Sequence, residues 1–100
     1  MTSGQLDRLI HEPARLQLMT LLYVVDEADF VFLSDRTGFT AGNISSHMSK
    51  LEGVGYVEVS KTFVDRRPRT VYRLTGGGRR AFEGYRRVLD GLFADLETGT

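Results

Sequence analysis

Residues 40–59, TAGNISSHMSKLEGVGYVEV, have the pattern of a helix that ends at two glycines. The first residues of a predicted strand follow directly. Thr40 is a residue type that caps helix N-termini, and apolar residues then recur at spacings of four and three, as in an amphipathic helix. These apolar positions are Ile44, Met48 and Leu51. The pattern predicts a helix over residues 41–53 with one narrow buried face.

The opposite face of this predicted helix is polar and short-chained. At about 100° per residue it carries Gly42, Asn43, Ser46, Ser49 and Lys50, with His47 on its flank. Asn43, Ser46 and Lys50 are side chains that can hydrogen-bond to base edges or phosphates in the major groove of DNA. A solvated helix face is the commoner role of such residues, but the absence of Asp and Glu at these positions favours a groove of nucleic acid.

Two helices are predicted before this stretch. Pro13 is suited to the first turn of a helix, and the apolar residues that follow it extend that helix for about a dozen residues. A short helical piece over residues 6–10 is expected to lead into it. A second short helix is expected over residues 30–36, although residues 30–32 also fit a brief strand. We interpret the acidic residues at 26–29 as a solvated turn between the two helices.

A hairpin is predicted after residue 55. Residues 56–63 and 70–74 are rich in β-branched and aromatic residues and alternate in character, which is typical of antiparallel strands. The connection over residues 64–69 is basic, and we expect Pro68 to stiffen it. Its arginines are Arg66, Arg67 and Arg69. Such side chains are attracted to a narrow minor groove.

A final helix is predicted over about residues 79–96, after three glycines at 76–78 that we expect to loosen the connection. Its apolar seam comprises Phe82, Tyr85, Leu89, Leu92 and Leu96, widened by Ala81, Val88 and Phe93. A helix of this length extends about 27 Å, which is too long for so small a domain to cover. We therefore expect the seam to form a dimer interface, with Leu6, Leu9 and Ile10 as neighbours.

Composition narrows the function classes. One hundred residues with 41% apolar side chains predict a single folded domain over residues 1–100. The absence of cysteine excludes disulfides and thiolate metal sites, and two histidines alone make no convincing metal site. No catalytic triad, phosphate loop, signal peptide or membrane span is recognisable. We therefore expect a cytoplasmic, non-enzymatic protein without a cofactor.

The net charge of zero conceals a strong segregation of charge along the chain. Residues 61–80 contain a single acidic residue, Asp65, and seven basic residues. The basic residues are Lys61, Arg66, Arg67, Arg69, Arg73, Arg79 and Arg80. Such a local concentration of positive charge favours a polyanionic partner. From the residues alone, that partner is either DNA or an acidic protein.

The order of three helices, a hairpin and a final helix is that of a winged helix-turn-helix, a mainly α fold with a small β-hairpin (α+β). The strings IHEPARL (10–16), GNISSHMSKLE (42–52), GYVE (55–58) and RPRTVYRLT (67–75) carry a further likeness. Jointly and in this order, they resemble the small prokaryotic winged-helix transcriptional regulators related to the MarR and ArsR groups.

The resemblance implies a sequence-specific regulator that binds double-stranded DNA as a homodimer. Residues 41–53 would be the recognition helix and residues 56–74 the wing. The candidate DNA contacts are Thr40, Gly42, Asn43, Ser46, His47, Lys50, Arg66, Arg67 and Arg69. The candidate dimer contacts are Leu6, Leu9, Ile10, Phe82, Tyr85, Leu89, Leu92, Phe93 and Leu96. The alternative is a protein-interaction module whose basic hairpin binds an acidic partner, and no small-molecule effector is indicated.

Overall fold

Residues 5–98, which the computed structural model describes, form four helices and one three-stranded antiparallel sheet. The elements are α1 (Pro13–Val25), β1 (Glu27–Asp29), α2 (Phe30–Thr37), α3 (Ala41–Gly53), β2 (Val57–Val64), β3 (Arg67–Leu74) and α4 (Gly76–Thr98). The sheet order is β1-β3-β2. This arrangement confirms the predicted α+β winged-helix fold.

Side-chain caps set where the first three helices begin. Thr40 Oγ1 accepts from the Asn43 backbone N–H at 3.2 Å, so α3 starts where the sequence predicts. Glu12 Oε1 accepts from the Arg15 N–H at 2.7 Å, and this bond lowers the pKa of Glu12. Asp29 caps α2 in the same way through Phe32. Carboxylates are effective acceptors at helix N-termini, where backbone N–H groups lack partners.

The helical piece expected over residues 6–10 is not formed, and that prediction is wrong. Asp7 Oδ1 instead accepts from the backbone N–H groups of Leu9 and Ile10, at 2.8 and 3.2 Å. Such local side-chain bonds compete with helix formation. Asp7 also accepts a bond from the Tyr56 hydroxyl at 2.6 Å, which ties this segment to the entry of β2.

Glu27 and Asp29 belong to strand β1 and Asp26 ends α1, so the interpretation of residues 26–29 as a solvated turn is wrong. Glu27 and Asp29 pair with Arg73 and Val71 of β3, and Ala28 between them is buried. Phe30 then begins α2, which decides between the helix and the brief strand expected there. A strand of three residues carries little pattern of its own, and here the ladder of β3 supplies its hydrogen bonds.

The hairpin turn is tighter than the sequence indicates. Only Asp65 and Arg66 connect β2 to β3, with φ of 52° and 67°. Positive φ at both central residues is what a type I′ hairpin turn requires. Arg67, Pro68 and Arg69 therefore belong to β3, not to the turn.

Helix α4 begins at Gly76, three residues before the predicted start, and its glycines are part of its first turn. The Gly78 N–H donates to Thr75 Oγ1 at 2.9 Å, as expected for an N-cap. A Cβ atom on Gly78 would overlap the backbone carbonyl of Tyr56. The glycines thus permit a close helix-to-chain contact, and the expectation of a loose connection is wrong.

One apolar core joins the helices to the sheet. Its fully buried large side chains are Ile10, Leu18, Met19, Leu22, Leu33, Ile44, Met48 and Leu51. Phe82 and Tyr85 of α4 complete it, whereas Leu92, Phe93 and Leu96 further along α4 are exposed. The molecule measures 59 × 24 × 20 Å, so the end of α4 projects from the body. None of the helices in the described chain has the length and hydropathy needed to cross a bilayer.

Candidate nucleic-acid interface

Helix α3 presents a polar surface that its own buried face holds in place. Ile44, Met48 and Leu51 are buried in the core, which fixes the rotation of the helix. Asn43 and Lys50 are exposed on the opposite side, together with Thr40, Gly42, Ser46 and Ser49. The side chains predicted to reach base edges are therefore free to contact a ligand.

His47 differs from the other predicted contacts on α3. Its side chain is only 19% exposed, and its Nδ1 lies 3.1 Å from Arg15 Nη1 and 3.9 Å from Glu12 Oε1. Because a guanidinium can only donate, Nδ1 accepts this hydrogen bond and neutral His47 carries its proton on Nε2. The structure thus links His47 to the start of α1.

An open groove of about 420 Å³ separates α3 from the hairpin formed by β2 and β3, which we call the wing. Ser45 and Ser49 line its α3 side, and Lys61 and Thr70 line its wing side. Lys61 and Thr70 are direct cross-strand partners. Ser45 and Lys61 were not among the predicted site residues. The two-residue alternation of β2 from the apolar Val59 would have assigned Lys61 to this face.

Three arginines are paired with carboxylates, and we call them the base cations: Arg69 and Arg73 of β3 and Arg79 of α4. Arg69 lies 3.2 Å from Asp29, and Arg79 lies 3.0 Å from Asp26. Arg73 lies 3.0 Å from Glu27 and 3.8 Å from Glu58, its cross-strand neighbours on both sides. Much of the positive charge counted along residues 61–80 is therefore compensated within the fold.

Three other cations belong to the wing, and the two arginines among them, which we call the tip cations, lie at its free end. The three are Lys61, Arg66 and Arg67, and all of them are exposed. Within residues 5–98, no carboxylate lies within ion-pair distance of any of them or of Lys50 on α3. The structure thus separates Arg69 from the two arginines grouped with it in the sequence.

The predicted dimer contacts also fall into two groups. Ile10, Phe82 and Tyr85 are buried in the core of the single chain, and Leu6, Leu9 and Leu89 are partly buried against it. His11 Nδ1 lies 2.9 Å from the Tyr85 hydroxyl, so His11 contacts α4 while Glu12 is the residue that caps α1. Of the predicted dimer contacts on α4, Leu92, Phe93 and Leu96 are exposed.

The residues described in the structure contain no group of three or more His, Asp or Glu side chains that could hold a metal ion. The arrangement offers instead hydrogen-bond donors and positive charge spread over α3 and the wing. This surface is suited to binding an extended polyanion rather than to catalysing a reaction.

Comparisons with known proteins agree with this geometry. A family model described as a winged helix DNA-binding domain matches residues 14–93. An uncharacterized protein of Methanocaldococcus jannaschii is 32% identical over 78 residues, which is 78% of this chain and 85% of that protein.

Solved structures show the same fold. A transcriptional regulator homologue from Pyrococcus horikoshii OT3 superposes with a TM-score of 0.84 and 30% identity, over 90% of this chain and 89% of that one. A PadR family transcriptional regulator from Eggerthella lenta shares the fold at 24% identity and a TM-score of 0.61, over 90% of each chain. With its fold, its exposed α3 face and a family match over most of its length, this chain belongs to the winged helix DNA-binding domain family.

Proposed function

We propose that this protein is a transcriptional regulator that binds double-stranded DNA as a homodimer, with α3 in the major groove and the wing on the minor groove. One observation carries the proposal. The exposed face of α3, with Asn43 and Lys50, borders a groove whose other wall is the wing, where Lys61 has no carboxylate of the described chain within ion-pair distance. In the major groove, Asn43 can read adenine and Lys50 can bind guanine or phosphate.

The groove between α3 and the wing is suited to a DNA backbone. Ser45 and Ser49 can donate hydroxyl hydrogen bonds from α3, and Lys61 can supply a positive charge from β2. Glu52 and Asp29 also line the groove, and Asp29 is neutralised by Arg69. We infer that the sugar–phosphate backbone of one DNA strand passes between α3 and the wing.

The backbone at the hairpin turn supports a functional role for Arg66. Its φ of 67° is a conformation that glycine adopts freely, whereas a residue with a side chain is disfavoured there by about 1 kcal/mol or more. Asp-Gly would be the usual pair for such a turn. An arginine at this position sacrifices some stability and adds a cation at the extreme end of the wing.

Dimerisation is inferred from the projecting end of α4. Leu92, Phe93 and Leu96 are exposed, and Leu96 is 77% exposed. Exposed apolar side chains grouped on one element are typical of an interaction surface. We expect Phe93→Ala with Leu96→Ala to shift sedimentation from dimer to monomer, whereas Gln17→Ala on the exposed face of α1 should leave it unchanged.

Fluorescence anisotropy of a labelled, arbitrary 30-base-pair duplex tests DNA binding directly. We expect binding at low salt that weakens steeply as salt rises, since bound cations displace counterions from phosphates. Selection from a random-sequence pool should then give a site whose preference is flattened by Asn43→Ala or Lys50→Ala but not by Gln17→Ala. Absence of binding at low salt would contradict the proposal and favour an acidic protein as the partner of the wing.

A further inference from the structure

An aromatic side chain stands exposed near the end of the wing. Phe63 is 72% exposed, and its direct cross-strand partner is Pro68. The two-residue turn that joins β2 to β3, Asp65 and Arg66, begins two residues after Phe63. The ring therefore forms an apolar projection that the core of the protein does not cover.

The register of the wing shows on which side Phe63 projects. Side chains alternate along a strand, so Val59, Lys61 and Phe63 share one face of β2. Their cross-strand partners Tyr72, Thr70 and Pro68 share the same face of β3. Val59, Lys61 and all three of these partners line the groove beside α3. Phe63 thus lies on the α3 side of the wing, about 7 Å beyond Lys61 toward the tip.

Positive charge surrounds the ring. Lys61 lies on the same face as Phe63, Arg66 lies at the turn, and Arg67 begins β3 on the opposite face beside Val64. No carboxylate of the described chain lies within ion-pair distance of any of the three. A second copy of the same surface would be repelled by these like charges. The combination of an apolar side chain with flanking cations matches proteins that bind the minor groove, where such a side chain opens a base step and cations bind the adjacent phosphates.

We propose that Phe63 is a wedge that enters the minor groove at a base-pair step and kinks the duplex, while Arg66 and Arg67 contact the flanking phosphates. The wing then binds most tightly to DNA whose base-pair steps deform easily. Pyrimidine–purine steps such as TA are the steps that unstack most easily. This inference rests on the proposed function, because it requires that the protein bind duplex DNA.

The test uses the full chain and a 30-base-pair duplex labelled with a donor and an acceptor dye at its two ends. Phe63→Ala is compared with Val64→Ala, since Val64 is the next residue, is 49% exposed and lies on the opposite face of β2. Duplexes with a TA step or an AA step at the wing position are titrated by anisotropy, and energy transfer at saturation reports the bend.

We expect the unmodified protein and the Val64→Ala variant to raise energy transfer and to prefer the TA duplex by about tenfold. Phe63→Ala should lose both effects while keeping the salt dependence of binding, and Phe63→Leu should retain part of the bend. Equal bending and equal step preference in Phe63→Ala would overturn the wedge and leave the DNA-binding proposal intact. A loss of self-association in Phe63→Ala would instead assign the ring to a protein contact, and absence of duplex binding would overturn both proposals.

Discussion

The base and the tip of the wing contain the same kind of side chain in opposite electrostatic surroundings. At the base, Arg69, Arg73 and Arg79 are paired with Asp29, Glu27 and Asp26, which come from β1 and the residue before it. At the tip, Arg66 and Arg67 have no carboxylate of the described chain within ion-pair distance, and neither has Lys61, which lies opposite Thr70 farther from the turn. Arg79 lies in α4, and its neighbour Arg80 has no carboxylate of the described chain within ion-pair distance.

The difference shows that charge counted along a chain overestimates the charge available to a ligand. Exposed ion pairs contribute roughly 0–1 kcal/mol each to folding, so the ion pairs of the base cations add little stability. They do remove positive charge from the surface near the body of the domain. Among the basic residues of the wing and α3, those without a carboxylate partner in the described chain are Lys61, Arg66 and Arg67 of the wing and Lys50 of α3.

The largest expected effect is a loss of stability where α4 packs against the backbone of Tyr56. Gly78→Ala should destabilise the fold by about 3 kcal/mol or more, since its Cβ would overlap the Tyr56 carbonyl and neither backbone segment can move freely. Gly77→Ala is the matched control, because its Cβ has only ordinary contacts and alanine favours the helix. Urea denaturation of the two variants checks this, and equal stabilities would contradict the packing described for α4.

A second effect concerns the bond that ties the N-terminal segment to the base. The Tyr56 hydroxyl donates to Asp7, and the negative carboxylate raises the pKa of Tyr56 to about 12. Because an unfolded tyrosine ionises near pH 10, this bond stabilises the fold below pH 10 and its contribution is lost as pH rises from about 10 to 12.

Tyr56→Phe should therefore lower the free energy of unfolding at pH 7 by about 1–2 kcal/mol. It should also show a smaller loss of stability than the unmodified protein between pH 10 and 12. Urea titrations at several pH values compare the two. Parallel curves across that range would mean that the Tyr56–Asp7 bond does not govern the titration.

A third prediction tests whether Arg66 at the tip of the wing contacts DNA. Arg66→Gly should raise the free energy of unfolding by about 1 kcal/mol by relieving the positive φ, and should weaken duplex binding about tenfold at 0.1 M salt through loss of one phosphate contact. Thermal denaturation and anisotropy measure the two effects. A variant that is stabilised yet binds DNA unchanged would show that Arg66 serves the turn alone.

The smallest expected effect comes from removing the carboxylate partner of one base cation. Asp29→Asn removes the partner of Arg69 but keeps a side-chain oxygen that can cap α2, so stability should change by less than about 1 kcal/mol. Duplex binding should strengthen, and its salt dependence should steepen by up to about 0.9 in log–log slope. Asp95→Asn on α4 makes the same change of charge far from the wing, and an equal gain there would contradict a local effect.

The parts of the fold with long, regular patterns were predictable from the sequence. Helix α3 combines a cap with a clear apolar spacing, and its predicted bounds are correct. The two wing strands alternate over several residues; β2 lies within one residue of its predicted bounds, whereas β3 begins three residues before its predicted start. The exposed contact candidates on α3 follow from the same periodicity, because knowing the buried face fixes the outward one. His47 is the exception, since its partners Arg15 and Glu12 are distant in sequence.

The missed features depend on contacts between distant residues. Strand β1 is too short to show alternation, and only its pairing with Arg73 and Val71 of β3 makes it a strand. The role of Gly78 depends on the Tyr56 backbone, more than twenty residues earlier in the chain. The ion pair of Arg69 with Asp29 was missed for the same reason, because it becomes visible only when β1 is placed beside β3.

The central claim is that the tip cations, not the base cations, bind DNA phosphates. The most direct test compares two double variants with equal charge changes, Arg66→Gln with Arg67→Gln at the tip and Arg73→Gln with Arg79→Gln at the base, by anisotropy on one duplex over a range of salt concentrations. We expect the tip variant to lower the slope of log affinity against log salt by about 1.8 for each bound protomer, and the base variant by less than about 0.9 for each. Equal losses, or a larger loss at the base, would contradict the claim.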